Sequence, residues 1–245
     1  MIIYLFDGTK EGLLCCLFES FTKKEKPILV TSNCVQPSFT TSVKTILTKE
    51  ENSKRVENGL RKCGSITLLN KLFYVLRSCD EHKETIIFNV AYKCLEQRKN
   101  VTMNFADADV VLFCDLYKKI KSEVHRFKGF LRFQETESGA LFSSFEPDND
   151  VCDLLAPHFV ERFGCPFIIF DLKRKKACLS DGKQIYLGKA DKPFTVFLSN
   201  KEKELVNLWQ EYYQSVNILE RKNLKQTYAY MPKRYFKNLP ERKNF

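Results

Sequence analysis

The fold turns on FIIFDLKRKKACLSDGKQIYL, residues 167–187. Phe167 to Phe170 is a short uninterrupted apolar run, the pattern of a strand covered on both faces. Ala177 to Leu179 and Gln184 to Leu187 flank Asp181-Gly182, a pair suited to the positive φ of a tight hairpin turn. Upstream, Phe130-Leu131-Arg132-Phe133 and Ala140-Leu141-Phe142-Ser143 flank Glu137-Ser138-Gly139, a second hairpin signal. Between the two hairpins, Asp150 is placed to cap a helix with Val151, Leu155, Phe159 and Phe163 on one stripe. Pro157 within it implies a kink or a later start. Downstream, Leu205, Leu208, Tyr212, Val216 and Leu219 mark an amphipathic helix. From residue 129 the expected order is ββαβββα, an α+β arrangement with an antiparallel sheet and packed helices.

The N-terminal half reads differently. Residues 2–6 are apolar and β-prone, Asp7-Gly8-Thr9 is a turn signal, and Gly12 to Phe21 is helical. Lys26-Pro27 then leads into Ile28-Leu29-Val30, completing a βαβ unit. Residues 31–52 are rich in Ser, Thr and Lys and show weak periodicity. Three or four helices follow over 53–127: Ile66, Leu69, Phe73 and Leu76 keep helical spacing, as do Ile87, Val90, Ala91 and Cys94. Val110, Phe113, Tyr117, Ile120 and Val124 do the same, with Asp107 or Asp109 placed to cap their helix. The expected organisation is therefore an N-terminal region (1–127), a ββαβββα region (128–220) and a basic aromatic tail (221–245), which together could form one compact domain.

The chain has 245 residues, 44% hydrophobic and 29% charged, which excludes a disordered or collagen-like protein. Forty Lys and Arg against thirty acids leave a formal charge of +10, which favours an anionic partner. The start, Met1-Ile2-Ile3-Tyr4, lacks the basic lead of a secretory signal, and no apolar run approaches the ~20 residues of a membrane helix. A cytoplasmic protein without a membrane partner is expected. None of the ten cysteines is spaced C-x-x-C, so no metal is expected and most thiols are expected to be small buried hydrophobes.

Charge concentrates in the tail. Residues 221–245 hold eight basic side chains and one acid, with Tyr228, Tyr230, Tyr235, Phe236 and Phe245 among them. Cations meet phosphates and aromatic faces stack on bases, so the tail points to nucleic acid. More positive charge collects at Lys118, Lys119, Lys121, Arg126, Lys128 and Arg132, and across Lys173 to Lys176. The three histidines offer little else. His82 lies in a polar helix start. His125 leaves a helix towards a strand, and His158 shares a helical face with Arg162. Asp171 ends a strand and Arg174 follows. Two imidazoles, a carboxylate and two guanidiniums converging at one end of the sheet would suit phosphate binding or acid–base work, and the same groups could equally be structural. Phe6-Asp7-Gly8-Thr9 matches the second half of the D-x-D-G-T phosphatase motif, but Leu5 stands where the nucleophile belongs, so a turn is the better reading. The phosphate-binding loop, dinucleotide, serine-hydrolase and zincin motifs are absent from the sequence.

Tyr4-Leu5-Phe6-Asp7-Gly8-Thr9 with Glu11-Gly12-Leu13 resembles the opening of a bacterial domain-of-unknown-function family labelled "probable DNA metabolism protein". The segments His125–Phe133, His158–Phe163 and Asp171–Arg174 also resemble that family, as does Met231-Pro232-Lys233-Arg234-Tyr235-Phe236, the most specific piece. Members are encoded beside a radical S-adenosylmethionine protein related to photoproduct lyases, and some are fused to a uracil-DNA glycosylase domain. The resemblance implies DNA repair or base modification, with such an enzyme acting in trans. It supplies no catalytic residue.

The expectation is a DNA-associated protein that assists a partner repair or modification enzyme and carries no cofactor. Arg126, Arg132, Arg162, Arg174, Lys233 and Arg234 are the candidate phosphate contacts. Tyr230 and Tyr235 are expected to stack on a base or to pack, since Met231-Pro232 fixes an extended turn that could fold Tyr228 to Phe236 back on the body. Two alternatives stand beside it: an enzyme acting on DNA through His125, His158 and Asp171, and an adaptor whose basic tail docks on an acidic protein.

Overall fold

The computed structural model describes residues 1–34, 36, 40–190, 195–218, 221, 223–231, 235–236 and 239. It is a mixed α+β protein that divides into two compact units, Met1–Lys121 and Ser122–Phe245.

The first unit opens with β1 (Ile2–Leu5), α1 (Lys10–Lys23) and β2 (Leu29–Thr31), the βαβ unit expected from the alternation of apolar runs with turn residues. β1 and β2 are parallel, with Ile3 opposite Leu29. The Thr9 side chain accepts the Gly12 N–H at 2.9 Å and so starts α1. A strand the sequence pattern does not announce, β3 (Ser42–Thr45), pairs parallel on the other side of β1, giving the order β2-β1-β3. α2 (Glu50–Val75), α3 (Lys83–Gln97) and the start of α4 (Ala108–Phe130) follow. Tyr4, Leu17, Leu60, Leu72, Phe88 and Phe113 belong to their common core. α2 is broken at Gly64 and Ser65. Ser65 has φ 63° and ψ −174°, a region that glycine occupies freely and serine only under strain. Asp107 accepts the Asp109 N–H in the first turn of α4, as anticipated for one of the two acids, and also pairs with Lys93 at 2.6 Å.

The second unit takes the end of α4, then β4 (Gln134–Glu135), β5 (Leu141–Phe145), α5 (Cys152–Phe163), β6 (Phe167–Asp171), β7 (Lys176–Ser180), β8 (Ile185–Lys189), α6 (Asn200–Ser215) and α7 (Leu224–Tyr230). The ββαβββα order is present, and the sheet runs β4-β5-β6-β7-β8 in chain sequence. Three of its four pairings are antiparallel. β5 and β6 are parallel, because α5 carries the chain back to the end of the sheet where β5 began.

Local expectations shift in four places. Phe130 to Phe133 is not a strand: α4 continues through Phe130, and β4 begins only at Gln134. Asp150 does not cap α5, whose N-cap is Val151. Asp150 instead pairs with Lys176 at 2.9 Å. α5 begins at Cys152 and runs through Pro157, so proline does not delay its start. Of the ten cysteines, only Cys15, Cys16, Cys94, Cys152 and Cys178 are buried.

Candidate functional site

Within the second unit, the turn after α4, the C-terminal turns of α5 and one side of α6 enclose a groove of about 560 Å³. Its walls are the product of two periodicities. After α4, the chain alternates Leu131, Arg132, Phe133, which sends Leu131 inward to 7% exposure and leaves Arg132 half-buried in the groove wall. On α5, Phe159 and Phe163 lie four residues apart and face the core, while His158 and Arg162 occupy the adjoining stripe. Phe133 packs between the two phenylalanines, with ring centroids at 4.7 Å from Phe159 and 4.8 Å from Phe163. Phe167, the first residue of β6, closes this aromatic floor at 6.0 Å from Phe133.

α6 supplies the opposite wall through Leu205, Val206 and Trp209. Its placement is fixed at the N-terminal end. Ser199 caps the helix and donates its N–H to the Glu135 carbonyl, Leu198 bridges Thr136, and the Glu202 carboxylate accepts the Glu135 N–H at 3.1 Å. These bonds continue the sheet past β4 and hold the first turn of α6 beside it.

Arg132 and Arg162 carry the positive charge of the groove, and Glu202 is the acid of its lining. The Arg132 guanidinium donates to the Gly129 carbonyl at 2.8 Å, which orients it. Arg162 is exposed, its guanidinium 5.9 Å from the Phe163 ring centre. His158, one turn before Arg162, has its imidazole pKa pushed down by burial first, then by the charges of Lys128 and Arg162, with Glu161 opposing. Aromatic faces beside two guanidiniums suit a ligand that is both planar and anionic.

Four of the five groups expected at one end of the sheet divide along β6: His158 and Arg162 lie on α5 beside its start, where Phe163 meets Phe167 at 6.2 Å, and Asp171 and Arg174 lie at its far end. Asp171 closes β6, four residues and ~13 Å along the strand from Phe167. Its side chain is 0% exposed and accepts the N–H groups of Lys173 and Arg174 at 2.9 and 3.1 Å and the Arg174 guanidinium at 2.9 Å. Arg174 in turn donates to the carbonyls of Pro147 and Asp148. The same loop is held from α4, where buried Glu123 accepts the N–H groups of Asp148 and Asn149 and the Asn149 side-chain amide. Asp171 and Arg174 therefore clamp two loops together, and their polar atoms are turned inward.

The remaining candidates also separate. His125 and Arg126 are exposed on α4, with His125 one turn before Lys128 on the same helical side. Tyr230 is 72% exposed at the end of α7. Tyr235 is 2% exposed, its ring 4.7 Å from Phe127 and 5.9 Å from Phe130, so it anchors the chain to the core and offers no face to a base. Lys233 and Arg234 lie outside the described residues. Sequence reasoning missed Phe133, Phe163, Glu202 and Trp209 as parts of the groove. The available signal was the pairing of two i, i+4 couples on α5, one aromatic and one basic. Among the described residues, no group of three or more His, Cys, Asp or Glu side chains could hold a metal ion.

Fold and groove define a two-unit α+β protein with a basic, aromatic-lined cleft in its second unit. The chain belongs to the family described as Domain of unknown function (DUF4130), which matches residues 81–241 and so takes in the end of the first unit and nearly all of the second. No curated protein and no solved structure matches the chain. No helix among the described residues is long and apolar enough to cross a membrane.

Proposed function

We propose that this chain is a DNA-associated protein that binds nucleic acid through its second unit and assists a partner repair or modification enzyme in the cytoplasm. The observation that supports the binding role best is the groove itself, where Arg132 and Arg162 flank a floor of Phe133 and Phe163. The formal charge of +10 adds the long-range attraction that phosphate binding uses. The partner follows from the resemblance to a family encoded beside a radical S-adenosylmethionine protein and at times joined to a uracil-DNA glycosylase. The basic tail is a second contact region in this reading, through Tyr230 and through Lys233 and Arg234.

Fluorescence anisotropy of a labelled oligonucleotide over a salt series tests the binding role. About four phosphate contacts on a single strand give a log–log slope near −3. Arg132→Ala and Arg162→Ala should each weaken binding and flatten that slope by about 0.7. Unchanged affinity and slope in both variants would remove the groove from the reading. Turnover of a lesion-bearing oligonucleotide by the protein alone would favour the enzyme alternative over an assisting role.

A further inference from the structure

We infer that the groove is a slot for a single unpaired nucleotide, with Arg132 and Arg162 on the two phosphates that flank it and the base lodged beside Trp209 and Phe163. The inference deepens the nucleic-acid reading and rests on it. Three features of the groove support the narrower assignment. The first is size: about 560 Å³ lies within the ~300–1,000 Å³ of small-ligand clefts, and cannot take a duplex. The second is the vertical order of the lining. Phe159 is buried, Phe133 and Phe163 are half-buried and Arg162 is exposed, so a base reaches the aromatic faces only after leaving its stack. Paired bases offer a protein their edges, whereas unpaired bases offer their faces. The third is polarity: Gln134 lines the groove as well and supplies an amide able to donate to, and accept from, a base edge. Glu202 also lines the groove, and one of its carboxylate oxygens accepts the Glu135 N–H.

Trp209 is the only tryptophan of the chain, so its emission reports on this groove. The intact protein is titrated with an oligothymidylate, with a duplex of matched length, and with a strand of the same length whose central residues are abasic. Anisotropy follows binding, and tryptophan emission follows the groove. Saturable quenching of Trp209 by the oligothymidylate is expected, with little quenching by the duplex. Abasic binding should be weaker by roughly 5- to 150-fold, the range for one stacked base. Trp209→Phe should keep most of the anisotropy-measured affinity and Trp209→Leu should lose it. Trp209 is 43% exposed, so neither replacement opens a core cavity. Equal quenching by duplex and single strand would overturn the slot, and so would equal affinity for abasic and base-bearing strands, while both outcomes leave nucleic-acid binding intact. Failure of all three ligands to bind would overturn the slot and the broader reading together.

Discussion

Asp171→Asn separates a structural acid from a catalytic one. The Asp171 carboxylate is buried and takes four demands: two backbone N–H groups on Oδ1, the Arg174 guanidinium on Oδ2, and compensation of that cation's charge. Asparagine keeps one oxygen, which can still serve Lys173 and Arg174 N–H. It then presents an NH2 group to a guanidinium that can only donate. Removing one partner of a buried ion pair costs about 3–5 kcal/mol. The Arg174 side chain is 24% exposed, so solvent relieves part of its stranded charge and the lower end, about 3 kcal/mol, is expected. Urea unfolding followed by Trp209 emission reads this directly, because the tryptophan lies in the same unit. Arg174→Ala should cost a comparable amount, since it also frees the Pro147 and Asp148 carbonyls. The double variant should cost less than the sum of the two. An Asp171→Asn protein that unfolds at the wild-type urea concentration but loses a nucleic-acid-dependent activity would refute this reasoning and restore Asp171 as a functional group.

Tyr235→Ala should lower the stability of the second unit by about 3–5 kcal/mol, since it empties a site packed against Phe127 and Phe130. Tyr230→Ala, at an exposed position, should stay within about 0.5 kcal/mol in the same urea melts. Ser65→Gly should stabilise the first unit by about 1 kcal/mol, because relief of the strained φ outweighs the lost Ser65–Thr67 contact and the added freedom of the unfolded chain. A lowered melting temperature in that variant would show that the serine is comfortable there. The folded state disfavours protonation of His158, so the stability this group contributes is complete above its ordinary pKa of about 6.5 and is lost as pH falls through its lower folded value. Melting temperatures at pH 7.5 and 5.5 should therefore fall less in His158→Gln than in the parent.

The parts of the fold legible in the sequence are those where burial writes its own period. β1 and β6 are apolar runs, and α1, α3 and α5 repeat at helical spacing, because each fills a core and has few alternatives. β3 left no such trace. Ser42 to Thr45 is half-exposed and is held by its backbone pairing with β1, which any sequence free of proline can supply. The parallel β5–β6 pair follows from the order of elements, since α5 separates the two strands. Two neighbouring strands separated by a helix return in the same direction, whereas two joined by a short turn reverse.

The site was half legible for a related reason. Local spacing places His158 beside Arg162 and Arg132 beside Phe133; the groove keeps Arg132, Phe133 and Arg162, and His158 stays outside its lining. Spacing says nothing about which end of a strand a residue reaches. Asp171 follows a buried strand at close range in sequence, yet that strand carries it ~13 Å away from the aromatic floor and into a loop clamp. Tyr235 shows the converse. A tail with eight cations and five aromatics leaves open whether each ring meets a ligand or packs on the body, and Tyr235 packs. Composition reports which side chains are available for binding. Burial then removes those the core needs, so Tyr230 at 72% exposure remains a contact candidate and Tyr235 at 2% becomes the anchor of its segment.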